Sequence, residues 1–164
     1  MKDGYLKKAL TLLGVRAVFV LIAVVFLFSF AKVLELKYGV LIYSALVSVF
    51  YLLWVFNFSL DEGGKDFRAK RVKTDAGGFL YGIMSECVGI ALLVAVFFGM
   101  PSYIYIIWNA PFAGFIRPEG GFLNVAVSPM FFVVLFIVPV VSGIAYSIGV
   151  RKAKKISDKL HNKA

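Results

Sequence analysis

The chain has 164 residues, 61% of them hydrophobic and 16% charged, and carries a formal net charge of +9. Its mean hydropathy is +0.89. A soluble domain of this length has too little interior to hide that much apolar surface, so the composition excludes an ordinary soluble globular protein and points to an integral membrane protein.

About 20 apolar residues at 1.5 Å rise cross a ~30 Å hydrocarbon core, and four windows qualify: residues 10–31, 39–60, 79–100 and 128–150. The runs are continuous rather than alternating, which argues against an outer-membrane barrel. The expected fold class is an all-α integral membrane protein of one domain, residues 1–164, with four transmembrane helices as two antiparallel hairpins.

The chain opens with Lys2, Lys7 and Lys8, and the first window follows. A basic start, an apolar stretch and the triplet Ser29-Phe30-Ala31 resemble a secretory signal. The apolar stretch exceeds the ~7–15 residues of such peptides, so it is read as an uncleaved span. Arg16 lies six residues into this window, about 9 Å deep. The connection 33–38 is short enough to force a hairpin.

The second window carries a polar stripe of Ser44, Ser48 and Tyr51, with Asn57 and Ser59 near its end. The connection 61–77 holds Lys65, Arg68, Lys70, Arg71 and Lys73 between Gly63-Gly64 and Gly77-Gly78, the composition of a mobile polar loop. Together with the N-terminus and the basic tail 151–164, this loop takes fourteen of the eighteen Lys and Arg residues. That bias puts both termini and the loop in the cytoplasm, at the cell membrane, with anionic lipid headgroups as the natural counterpart. Nucleic acid is not expected as a partner, since the basic segments carry no binding motif and lie beside lipid.

The third window holds one acid, Glu86. Gly78, Gly82, Ser85, Glu86 and Gly89 recur at spacings of three or four, broadly on one helix face, and small residues so spaced let helices approach closely in lipid. Glu86 lies about 10 Å from the same end as Arg16, so the two can pair and lower the penalty of holding either charge in the membrane. The pair is expected as structural or, alternatively, as a proton or ion site; Arg16 can instead snorkel to the headgroups. Cys87, the single cysteine, allows no intrachain disulfide.

The outer connection, PSYIYIIWNAPFAGFIRPEGGFLNVAV (101–127), is too apolar for a hydrated loop. A third helix running on to Asn109 would be about 46 Å long, too long without strong tilt, and Pro101 permits a break. Tyr103, Tyr105 and Trp108 are expected as headgroup-level anchors, with a lid or docking surface as the alternative. In the fourth window Pro139 permits a kink, and Gly143 and Ser147 offer a packing face. His161 stands alone in the polar tail.

No Ser–His pair, zinc motif or phosphate loop occurs, so neither an enzyme nor a cofactor is expected. No internal repeat is visible. The expected function is a multi-pass accessory or interaction protein, joined to another membrane protein or to copies of itself; the alternative is a small oligomeric proton- or cation-coupled transporter or channel using Glu86.

Overall fold

The computed structural model describes residues 2–29, 38–70, 72, 76–117 and 126–161, which are mainly helical with no strand among them. The connection 33–37, with Lys37, and the stretch 118–125 lie outside the described residues, as do Lys32, Arg71, Lys73 and the last three positions. Helix α1 is Lys2–Ser29, α2 Gly39–Arg68, α3 Gly77–Ser85, α4 Cys87–Phe97, α5 Ser102–Trp108, α6 Ala113–Ile116 and α7 Pro129–His161, with a 3₁₀ turn at Ala110–Phe112. Three stretches, Gly4–Phe26, Gly39–Arg68 and Pro129–Leu160, are long and apolar enough to cross a membrane, and α3 with α4 makes a fourth if that bent pair counts as one.

α2 does not stop at residue 60. Its buried positions Val40, Ser44, Ser48, Tyr51, Val55, Ser59, Gly63 and Asp66 recur every three or four residues, so one face stays packed for the whole length. The first part of the expected 61–77 loop, residues 61–68, is therefore helix. Gly63-Gly64, read as loop residues, are packing residues: a Cβ on Gly63 would strike the backbone carbonyl of Tyr146, and one on Gly149 the carbonyl of Leu60. Close contact with α7 outweighs the weak helix propensity of two glycines, about 1 kcal/mol each. The tail likewise continues as helix through His161.

α1 and α2 run antiparallel: the Tyr43 hydroxyl donates to the Ala23 carbonyl (2.6 Å) near one end, and Lys8 reaches Asp66 (2.6 Å) at the other. α3 lies antiparallel to α7. Gly78 faces Ser142 and Tyr146, Gly82 faces Pro139 and Ser142, and Gly143 faces Phe79, whose Cβ would lie 3.2 Å from an added Cβ. The Ser142 hydroxyl bridges the two helices by donating to the Gly78 carbonyl (2.9 Å). Ser147 is half-buried on the same helix.

The third window is not one straight helix. α3 and α4 meet at Glu86 with a bend of 48°. The Ser85 hydroxyl donates to the Gly82 carbonyl (2.7 Å), the acceptor that the Glu86 N–H would use in a regular helix, and that N–H turns to Ile83 instead (3.0 Å). A hydroxyl competing for the ladder in this way bends a helix.

α4 ends at Gly99, whose φ of 99° suits a residue without Cβ. Met100 N–H closes on the Ala95 carbonyl (3.0 Å) and Gly99 N–H on Val96 (3.1 Å), a Schellman ending. Pro101 then starts a new helix. The chain reverses, and α5, the 3₁₀ turn and α6 fold back among the other helices as a short hairpin. Gly114 makes this fit: its N–H donates to Ser44 Oγ (2.7 Å), and a Cβ there would lie 2.7 Å from Leu41 Cα.

Candidate functional site

Among the described residues the largest fully buried side chain is Arg16. It stands midway along α1, fourteen residues from Lys2 and thirteen from Ser29, and its guanidinium points into the bundle. Nη1 donates to Glu86 Oε1 and Nη2 donates to Asn109 Oδ1. The side chains of Arg16 and Glu86 are 2% and 1% exposed, so Arg16 does not snorkel here. The Arg16 Cζ sits 5.6 Å from the centre of the Trp108 ring, a cation–π contact that strengthens in a desolvated setting.

Each member arrives on a different element. α1 supplies Arg16, the bend between α3 and α4 supplies Glu86, and the tip of the inserted hairpin supplies Trp108 and Asn109. The bend that Ser85 creates sets the Glu86 carboxylate at that junction. Asn109 is held by its own Nδ2, which donates to the Tyr105 carbonyl (2.9 Å). The Tyr105 hydroxyl donates to the Phe131 carbonyl (2.5 Å), and its ring stacks on Phe131 at 4.9 Å. Phe112 packs against Tyr51 (6.0 Å), which packs against Phe19 (5.2 Å).

Tyr105 is fully buried, Trp108 covers Arg16 and Tyr103 is half-buried. The aromatic segment therefore is not a row of surface anchors. Tyr105, Ile106, Phe112 and Ile116 are buried against other helices because the reversal at Gly99 and Pro101 turns one side of the segment inward, while Ile107 and Phe115 stay exposed. Sequence reasoning missed Asn109 altogether. The signal was present: an amide in an apolar run too long for one span and too greasy for a loop.

Two buried polar atoms at this site, Glu86 Oε2 and Trp108 Nε1, have no hydrogen-bond partner among the described residues. Both lie beside Gly89, where an added Cβ would stand 3.1 Å from Oε2, 3.6 Å from Nε1 and 2.8 Å from Leu135 Cδ2. Gly89 thus keeps room next to the carboxylate. Chemically, the site can hold a positive charge, accept one more hydrogen bond at Oε2 and offer one donor from the indole.

A second polar cluster lies where α1 begins, α2 ends and α7 passes. Lys8 pairs with Asp66 (2.6 Å) and Glu62 (3.1 Å), and the Tyr146 hydroxyl donates to Asp66 (2.9 Å). Carrying the buried stripe of α2 past residue 60 would have exposed this cluster. Among the described residues no group of three or more His, Cys, Asp or Glu side chains is placed to hold a metal ion. Cys87 is exposed on the surface.

Comparison with protein-family models, with curated proteins and with solved structures returns no match, so the chain's function rests on its own residues.

Proposed function

We propose that this chain is an integral protein of the cell membrane with four spans, the bent α3–α4 pair serving as the third, and that it works by associating with other membrane proteins rather than by chemistry of its own. The lysines and arginines at the shared end of α1, α2, α3 and α7 put both termini on the cytoplasmic side. One observation carries the functional reading. Among the described residues, the only charged groups in the middle of the bundle are Arg16 and Glu86; they bind each other, and Arg16 also binds Asn109. Side chains that would otherwise build a polar route act as fasteners between helices. Meanwhile the outer faces present large apolar side chains, among them Leu21, Phe50, Phe97 and Phe136, suited to lipid and to the spans of a partner.

A second reading follows from the bend. A helix broken at an acid, next to an inserted hairpin, is a common setting for ion sites in transporters, and Glu86 Oε2 is open to a further donor. Proton- or cation-coupled transport by a homo-oligomer is therefore the alternative.

Oligomeric state in mild detergent, together with flux in reconstituted vesicles, separates the two. A single copy bound to an unrelated membrane protein, with no proton or cation flux, is the expected result. A symmetric homo-oligomer whose flux vanishes in Glu86→Gln refutes the accessory role.

A further inference from the structure

Two helices outrun the apolar bundle. The Lys8, Glu62 and Asp66 charges mark where the bundle gives way to water. α7 continues past Val150, its last buried residue among those described, by ten residues to Leu160, about 15 Å of helix. Beyond those charges the end of α2 and the extension of α7 diverge around a cleft of about 610 Å³, floored by Phe67, Val72, Ile156 and Leu160 and edged by Arg68 and Lys70. On the orientation proposed above, the cleft stands in the cytoplasm.

Residues 153, 156, 157 and 160 of α7 line it, a spacing of three and four that puts them in one row. Ile156 and Leu160 remain 61% and 67% exposed, because α2 ends at Arg68 and the left-handed turn at Lys70 (φ 52°) closes it there. Large aliphatic side chains held in water on an ordered helix gain from a partner that covers them.

The charge around the row has one sign. Asp66 is engaged by Lys8 and Tyr146, Glu62 by Lys8 and Lys65, and Asp61 by Lys65. Arg68 and Lys70 form no ion pair among the described residues. On α7 the helical period sets exposed Lys152 and Lys154 on the two flanks of the row. Arg151, Lys155 and Lys159 lie farther round, against a single acid, Asp158.

Geometry and charge select the occupant. A leaflet lipid points its chains toward the spans, whereas Ile156 and Leu160 lie no nearer the spans than Arg68 and Lys70. A second copy would bring the same basic tail against the basic rim, a costly like-charge contact. An apolar ridge flanked by carboxylates fits both the floor and the rim, laid in the groove as amphipathic helices are. We infer that the cleft docks an acidic amphipathic helix of a cytoplasmic partner segment, with aliphatic anchors on Phe67, Ile156 and Leu160 and carboxylates toward Arg68, Lys70, Lys152 and Lys154. The site gives the partner of the accessory role a chemistry, and it rests on that reading.

The test uses the full chain in phosphatidylcholine nanodiscs and three fluorescently labelled helical peptides of about 20 residues. The first carries leucines at every third and fourth position flanked by glutamates. The second has lysines in place of the glutamates, and the third serines in place of the leucines. Anisotropy is read against empty nanodiscs. The first peptide is expected to bind about tenfold or more tightly than either of the others. Ile156→Ser with Leu160→Ser should weaken it about thirtyfold or more, as loss of central anchors does. Arg68→Gln with Lys70→Gln should weaken it about fivefold at low salt and less at high salt. Arg151→Gln with Lys155→Gln, on the far side of α7 from the row, should stay within about twofold of the parent. All the altered side chains are exposed, and size-exclusion profiles establish that each variant is folded.

Equal binding of the acidic and basic peptides overturns the site, as does undiminished affinity in the Ile156/Leu160 variant. A loss in the Arg151/Lys155 variant equal to that in the Arg68/Lys70 variant marks diffuse charge and overturns it too. Displacement of the peptide by short-chain phosphatidylglycerol assigns the cleft to a lipid instead. A parent dimer that the Ile156/Leu160 variant turns into monomer assigns it to a second copy; either result sinks the inference. Absent peptide binding in a chain that pairs with an unrelated membrane protein and carries no flux refutes only the site. Flux that depends on Glu86 refutes the accessory role whatever the peptides do.

Discussion

Removing one member of the buried Arg16–Glu86 pair should cost far more than removing both. In Glu86→Ala the guanidinium keeps Asn109 and the Trp108 ring but loses its counter-charge at 2% exposure. Breaking a buried pair from one side typically costs about 3–5 kcal/mol, a large share of the roughly 5–15 kcal/mol that holds a domain folded. Arg16→Ala strands the carboxylate and should cost a similar amount, partly relieved if Glu86 takes up a proton. Replacing both, as Arg16→Met with Glu86→Leu, removes two desolvation penalties together with their attraction, so it should fall within about 1–2 kcal/mol of the parent. Asn109→Ala loses one hydrogen bond to a charged group, about 1.5–3 kcal/mol. The assay is reversible unfolding in mixed micelles of mild and denaturing detergent, followed by tryptophan fluorescence, since Trp108 reports the site directly. The single losses should exceed the double loss by about 2 kcal/mol or more. Additive single losses would refute the coupling, and full stability of Glu86→Ala would refute the buried geometry itself.

Two other outcomes check the arrangement. On a background with Cys87→Ser, cysteines at Lys70 and Ala164 should resist an impermeant thiol reagent added to intact cells while one at Gly120 reacts; labelling at 70 or 164 inverts the proposed orientation. Gly114→Ala forces a Cβ against the Val40 and Leu41 backbone, which cannot move aside as a side chain can, so it should cost about 1–3 kcal/mol in the same unfolding assay. Gly4→Ala, with nothing within 4 Å of the new Cβ, should be neutral or stabilising by up to about 1 kcal/mol.

The apolar helices were legible along the chain because crossing a membrane is a one-dimensional requirement: length times apolarity, read window by window. The small-residue faces were legible for a similar reason, since Gly78 and Gly82 announce close approach by spacing alone. Helix ends and bends were not. Gly63-Gly64 looks like a turn until the Tyr146 carbonyl occupies the space a side chain would need, and Ser85 looks like one more small residue until its hydroxyl takes the Gly82 carbonyl.

The charged centre divides the same way. Arg16 and Glu86 stand out in apolar runs, and the need to neutralise a buried charge pairs them on paper. Asn109 could be found only in three dimensions, for the segment that carries it has no periodicity of its own and owes its place to the reversal at Gly99 and Pro101. Local sequence decides what a residue must avoid, here water for the long apolar helices and isolation for the two charges. Which partner relieves that demand depends on contacts between positions 70 and 93 residues apart, and these exist only once the helices have packed.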